Sequence, residues 1–177
     1  MIVWINGAFG AGKTSVAECL CKKIAPAHLY DPEQVGYFLW DNVPPEMSRR
    51  GNFQHIPLWR QFNYQILKYI SDSYQGLIVV PMTVYLRPYY DEIVGGLEQA
   101  GVEICHLILS ASRQTILDRL AQRGEGADSW AAQHIGHCLR AFEQEIPGEK
   151  VDTEGKAIEE IADEIIRLIW ADTQTMG

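Results

Sequence analysis

The chain lacks any long hydrophobic run. Its N-terminal apolar stretch covers only Met1 to Ile5, and nothing approaches the roughly 20 residues of a membrane helix, so integral membrane association is not expected. So short a run, leading straight into a glycine-rich loop, is no secretory signal either, and a cytoplasmic location is expected. Basic charge is sparse: 15 Lys and Arg against 23 Asp and Glu give −8, and no basic cluster, Arg49-Arg50 included, is longer than two residues. A nucleic-acid partner is therefore not expected, because backbone-tracking surfaces need clustered cations. The four cysteines, Cys19, Cys21, Cys105 and Cys138, include no pair with zinc-finger spacing and read as reduced thiols in helices or a strand. Repeats and low-complexity segments are absent, and no Asn-Lys-x-Asp segment supports guanine recognition. At 177 residues, the expectation is one domain, 1–177, with a core that needs no disulfides.

What is present is Gly7-Ala8-Phe9-Gly10-Ala11-Gly12-Lys13-Thr14, which fits the phosphate-binding pattern G-x-x-x-x-G-K-[ST]. Before it, Met1 to Ile5 suits a buried parallel strand; after it, Val16, Ala17, Leu20 and Ile24 have helical spacing. Phosphate oxygens need converging N–H donors, and glycine lets the backbone wrap closely enough to supply them. Residues Gly7 to Ser15 are thus expected to hold ATP. Lys13 would reach the β- and γ-phosphates, the Thr14 hydroxyl would bind Mg²⁺, and the helix N-terminus would add partial positive charge.

Further strands are expected at Ala27 to Tyr30, Gly76 to Pro81, Glu103 to Leu109 and Lys150 to Asp152. Helices are expected from Pro32 to about Asn42, Trp59 to Tyr74, Ser112 to Arg123 and Gly155 to Trp170, with a mobile connection over 43–58. The run Leu77-Ile78-Val79-Val80 should be the central strand. Such βα alternation predicts an α/β fold of the P-loop NTPase type. It is a three-layer α/β/α sandwich around a mostly parallel five-stranded sheet, binding ligands beyond the carboxyl ends of its strands.

A small kinase fits this length, and such enzymes close a basic, mobile helical lid over the transferring group. Arg119 and Arg123, four apart before Gly124 and Gly126, supply one over about 119–136, unless they are merely solvated helix arginines. Asp31, at the end of the second strand, is the expected general base or hydroxyl orienter, with Glu33 able to share the duty. An N-cap is the plainer role for Asp31. The central strand ends in Val80-Pro81-Met82-Thr83 without an aspartate, leaving Mg²⁺ to Thr14, phosphates, waters and Asp31. The stripe Trp59, Phe62, Ile66, Leu67 and Ile70 reads as core, the apolar stripe of the last helix as packing on the sheet, and His134, His137 and Cys138 as no metal site.

Several segments carry a family likeness: Trp4-Ile5-Asn6-Gly7-Ala8-Phe9-Gly10, Tyr30-Asp31-Pro32-Glu33, Pro57-Leu58-Trp59-Arg60, Phe62-Asn63-Tyr64, Val80-Pro81-Met82-Thr83 and Ser129-Trp130-Ala131-Ala132. Through them the chain resembles, nearly end to end, the tunicamycin-resistance ATP-binding proteins of the nucleoside-kinase-like phosphate-loop group. The resemblance implies ATP-dependent phosphorylation of a hydroxyl on a uridine-containing nucleoside antibiotic. It also implies that Arg60 holds a polar group of the acceptor, that Trp59, Phe62 and Tyr85 form an apolar or uracil-stacking wall, and that Thr83 and Glu33 lie on the acceptor. Sequestration of the drug without chemistry, and a nucleoside or UDP-sugar kinase, are the alternatives. A homodimer is left open.

Overall fold

Six consecutive buried residues, Ile2–Gly7, the first four of them apolar, form strand β1; burial this unbroken leaves no face for water and places the strand inside a sheet. The computed structural model describes residues 1–47, 52–126 and 128–175, so the Arg49-Arg50 pair lies outside the described residues. The other strands are β2 (Ala27–Leu29), β3 (Leu77–Pro81), β4 (Ile104–Ser110) and β5 (Glu149–Asp152). They form one five-stranded sheet in the order β2-β3-β1-β4-β5, parallel at every pairing rather than mostly so. The middle strand is β1, paired on both sides, and β3 stands one place from it rather than at the centre.

Side chains alternate across each strand, and each face has its own core. Val3, Ile5, Val79, Leu107 and Leu109 pack under helices α1 (Lys13–Lys23) and α8 (Ile158–Thr175), whose Val16, Leu20, Ile161, Ile165 and Ile169 are buried. Ile2, Trp4, Ile78, Val80 and Ile108 face the opposite side. That face is covered by α2 (Pro32–Asn42), α3 (Pro57–Ser73), α6 (Arg113–Gln122) and α7 (Trp130–Gln144). Sandwiching both faces buries the sheet as a parallel sheet requires. Among the described residues, no helix is long and apolar enough to cross a membrane.

One element has no counterpart in the sequence reading. Arg87–Tyr90 (α4) continues through a π-helical turn, Asp91–Gly95, into α5 (Gly96–Gln99). The Gly95-Gly96 pair would ordinarily break a helix. Here burial of Ile93, Val94 and Leu97 carries it, and the Tyr64 ring lies so close that a Cβ on Gly96 would stand 3.2 Å from it.

His106, on β4, sits 5.0 Å from the Tyr90 ring with its Nε2 3.4 Å from Asn6 Nδ2. Burial pushes its pKa down from 6.5 to about 4. Between these values the unfolded chain binds a proton that the folded one does not, so stability is full above pH 6.5 and lost as pH falls toward 4. Urea titrations should find a loss of roughly 2 kcal/mol from pH 7 to pH 5, and a smaller one in His106→Gln. Equal losses in the two proteins would refute this origin.

Candidate active site

The phosphate loop begins where β1 leaves the sheet. Asn6, fully buried, clamps that point: its Oδ1 accepts from Gly7 N at 3.0 Å and Val84 N at 2.9 Å, and its Nδ2 donates to Val84 O at 3.0 Å. Gly7 has φ +142 and so little room that a Cβ would stand 2.8 Å from Leu109 O, which requires glycine there. Gly12 ends the loop at φ 96 as the N-cap of α1; no side chain caps this helix and its first turn holds no acid. Its first amides and dipole therefore face an anion without competition. Ala8 and Ala11 are buried, whereas Thr14 and Ser15 are exposed at the mouth.

Lys13 folds back over this loop, its Nζ donating to Gly7 O at 3.1 Å and Ala8 O at 2.9 Å, 5.8 Å from the Phe9 ring. Burial lowers its pKa to about 8. A cation held this way against desolvation, on a loop of backbone donors, fits a polyphosphate, whose charge would supply the missing counterion.

Lys13 and Thr14 open onto a cleft of about 450 Å³ that also takes in Asp31, Glu33, Thr83 and Arg123. Asp31 performs the plainer of its two expected roles, as N-cap of α2 accepting from Glu33 N and Gln34 Nε2, each at 3.0 Å, and it also lines the cleft. Proline at the next position pre-sets the helix start that aims it there. Burial, then the neighbouring Asp31, raise the Glu33 pKa. Thr83 follows β3 and donates its hydroxyl to Gly7 O at 2.8 Å, so the β3 end is stitched to the phosphate loop.

Four expected acceptor contacts do not reach the cleft. Trp59 is fully buried, its Nε1 donating to Pro32 O at 2.9 Å; Tyr85 is buried and Phe62 half-buried in the same core. The helical stripe turns into the core, with Trp59 against the start of α2 and Phe53, which is why the core reading of Trp59 and Phe62 holds. Arg60 is 8% exposed and committed internally, to Glu92 Oε2 at 2.6 Å and to Gln54 O, with its guanidinium 4.2 Å above Tyr89. The two lid arginines also part company. Arg119 binds Thr153 Oγ1 at 3.0 Å and Thr153 O at 2.8 Å and reaches the phosphate loop at Ala11 O, 3.4 Å away, whereas Arg123 lines the cleft. Helix α6 stops at Gln122, so Arg123 lies beyond it and four-residue spacing no longer implies a shared face. The expected lid falls on the end of α6, the turn after it and the first turns of α7, where Ala131, Ala132 and Ile135 are packed into the core. His134 has its Nδ1 2.7 Å from Trp130 O and its ring stacked on Trp130 at 4.2 Å.

Residues absent from the sequence reading complete the site. Within 43–58, expected to be an irregular connection, Phe53–His55 forms a 3₁₀ turn capped by Asn52 Oδ1, and Gln54 donates to Thr83 O at 2.7 Å. Phe53 is seated on Gly36 of α2, where any Cβ would stand 2.5 Å from its ring. The Asn-x-Gln capping pattern was the available signal.

A parallel sheet flanked by helices, with a phosphate loop after its middle strand and paired cations and carboxylates in one cleft, defines a kinase-like P-loop domain. The chain belongs to the family described as an AAA domain, whose profile matches residues 2–144. It is similar in structure to the Deinococcus radiodurans tunicamycin resistance protein, with 26% identity, TM-score 0.81, and 95% of this chain and 94% of that one covered. The resemblance drawn from the sequence segments is thereby borne out. A gluconokinase from Sinorhizobium meliloti (20% identity, TM-score 0.70, 98% and 94% covered) and the Mycobacterium tuberculosis APS kinase in complex with AMPPNP and APS (19%, 0.61, 95% and 96%) share the fold. No curated protein sequence matches the chain.

Proposed function

We propose that the protein is an ATP- and Mg²⁺-dependent phosphotransferase that phosphorylates a hydroxyl of a small molecule, and that a nucleoside antibiotic of the tunicamycin type is its acceptor. The observation that carries this reading is the single cleft in which Lys13 and Arg123 face Asp31 and Glu33. Phosphoryl transfer needs positioning and charge neutralisation above all, and this pairing provides cations for the phosphoryl oxygens and a carboxylate for the attacking hydroxyl. The tunicamycin resistance protein at 26% identity supports the choice of acceptor.

MgATP supplies the phosphoryl group. Lys13 and Arg123 stabilise charge on its oxygens; the uncapped start of α1 binds the remaining phosphates; Thr14 and Asp31 would hold the metal, which would neutralise phosphate charge. Asp31 accepts the proton of the acceptor hydroxyl as the new O–P bond forms and the γ–β bridging bond breaks, leaving ADP. Glu33 orients the acceptor beside it.

Tunicamycin incubated with the protein, ATP and Mg²⁺ should gain about 80 Da by mass spectrometry, the mass of one HPO₃ unit. Asp31→Asn should lower the rate about 10²-fold, the lower end of general-base effects because a loose transition state asks little of the base. Asparagine caps a helix about as well as aspartate, so α2 is preserved. Drug binding with no mass change would favour sequestration instead, and neither binding nor mass change would overturn the acceptor.

A further inference from the structure

Lys13 is held by groups that can let it go. An ammonium has three protons to donate, and Lys13 uses two of them on loop carbonyls, Gly7 O at 3.1 Å and Ala8 O at 2.9 Å. Reaching the β- and γ-phosphates together means giving up at least one of these carbonyls. Both belong to buried residues, and a buried carbonyl that loses its donor carries a desolvation penalty that would oppose the move.

Each carbonyl has a second donor. Ala8 O also accepts from Ala11 N at 3.1 Å, and Gly7 O also accepts from Thr83 Oγ1 at 2.8 Å. Neither is orphaned when the lysine turns away. The first of these donors is the loop's own backbone, whereas the second comes from the end of β3, 76 residues along the chain, and depends on one side chain.

That side chain is buried and fixed through its neighbours. Met82 N donates to Ile5 O at 3.0 Å, and Asn6 holds Val84 at both its N and its O, so the backbone is pinned on either side of Thr83. Thr83 O accepts from Gln54 Nε2 at 2.7 Å, and Gln54 O in turn accepts from Arg60. A shift of the β3 end would break several buried hydrogen bonds at once, and the branched Thr83 side chain has few rotamers of its own. Its hydroxyl proton is committed to Gly7 O, so although Thr83 lines the cleft it has no proton to offer an acceptor.

We propose that Thr83 is a positioning residue for Lys13: its hydroxyl keeps Gly7 O satisfied, so that the ammonium can pass from the loop carbonyls to the phosphates without leaving a buried carbonyl unpaired. The inference rests on the reading that Lys13 serves the phosphates of ATP. It replaces the acceptor contact expected of Thr83 with a role on the nucleotide side. Gln54 and Arg60 join it there, since they hold the strand end that presents the hydroxyl.

The test is a double-mutant cycle read by calorimetric binding of a non-hydrolysable ATP analogue with Mg²⁺ to the intact protein, which needs neither an acceptor nor phosphoryl transfer. Thr83→Val removes the hydroxyl and keeps the shape, and should weaken the analogue about 5-fold. In the Lys13→Met background no donor leaves Gly7 O on binding, so the same substitution should change affinity by less than about 2-fold. Thr83→Ser should bind within about 2-fold of the natural protein. Urea unfolding checks the valine variant; where it does not fold, Thr83→Ser against Thr83→Ala measures the same hydroxyl in both backgrounds. A side chain that merely braced the loop would weaken binding equally in the two backgrounds, and that result would overturn the proposal. Unchanged affinity in Thr83→Val would overturn it as well. Unchanged affinity in Lys13→Met alone would sink both the phosphate role of Lys13 and the release that Thr83 permits. A coupled cycle in a protein that transfers no phosphoryl group to tunicamycin would uphold the role of Thr83 and sink the choice of acceptor.

Discussion

Lys13→Met is expected to lower kcat/KM for phosphoryl transfer about 10³-fold, the upper range for removing one preorganised electrostatic contact from a transition state. Methionine keeps the length of the stem and loses the charge, and the charge is what the site needs. Among the described residues the ammonium donates to two loop carbonyls, Gly7 O and Ala8 O, and it is desolvated enough for its pKa to fall to about 8. Removing it gives up those two hydrogen bonds but also relieves a buried cation, so the melting temperature should change far less than the rate.

The same lysine predicts a pH dependence of nucleotide binding. Free Lys13 deprotonates near pH 8, while bound phosphates keep it charged to higher pH. Binding above pH 8 must therefore take up a proton, and affinity falls by up to about tenfold per pH unit until the pKa of the complex is reached. Dissociation constants for ATP at pH 7, 8 and 9 should rise in this way for the natural protein and change little for Lys13→Met. Parallel curves for the two proteins would remove Lys13 from the phosphate site.

Trp59→Ala should cost about 3–5 kcal/mol in urea unfolding, a large share of the total stability of a domain. The indole is fully buried and lies 5.4 Å from Phe53, so truncation opens a cavity beneath the turn that lines the site. Its N–H also holds Pro32 O, one residue after Asp31, and the loss removes that tie between α3 and the start of α2. Stability and phosphotransfer should fall together, because the start of α2 and the Phe53 turn both lean on this side chain. Trp59→Phe, which leaves most of the volume in place, should be milder in both. A cost under about 1 kcal/mol for Trp59→Ala would mean that α2 and α3 are held together elsewhere.

The alternation of strand and helix, the phosphate loop and the start of α2 were determined by the sequence alone, because each is written in contiguous residues. Gly7 to Ser15 carry their chemistry within one turn of chain, and Asp31-Pro32 is a helix start whatever packs on it. The arrangement of the sheet is different in kind: that β1 rather than β3 is the middle strand depends on pairings with β4 and β3, which no local pattern encodes. Tertiary structure also decided which aromatics meet the cleft. Helical periodicity identifies one face of α3 but not what covers that face, and the start of α2 and the Phe53 turn cover it at Trp59, so Trp59 became core. A small cavity beside the cleft is lined instead by Phe9, Tyr37, Trp40, Phe53 and Trp130, residues spread over most of the chain that converge only when α2, the 3₁₀ turn and α7 pack on the same side of the sheet. The fate of the arginine pair turned on a single helix end. With α6 closing at Gln122 before Gly124 at φ 81, Arg119 reached Thr153 and Ala11 O of the phosphate loop, and Arg123 was left to line the cleft.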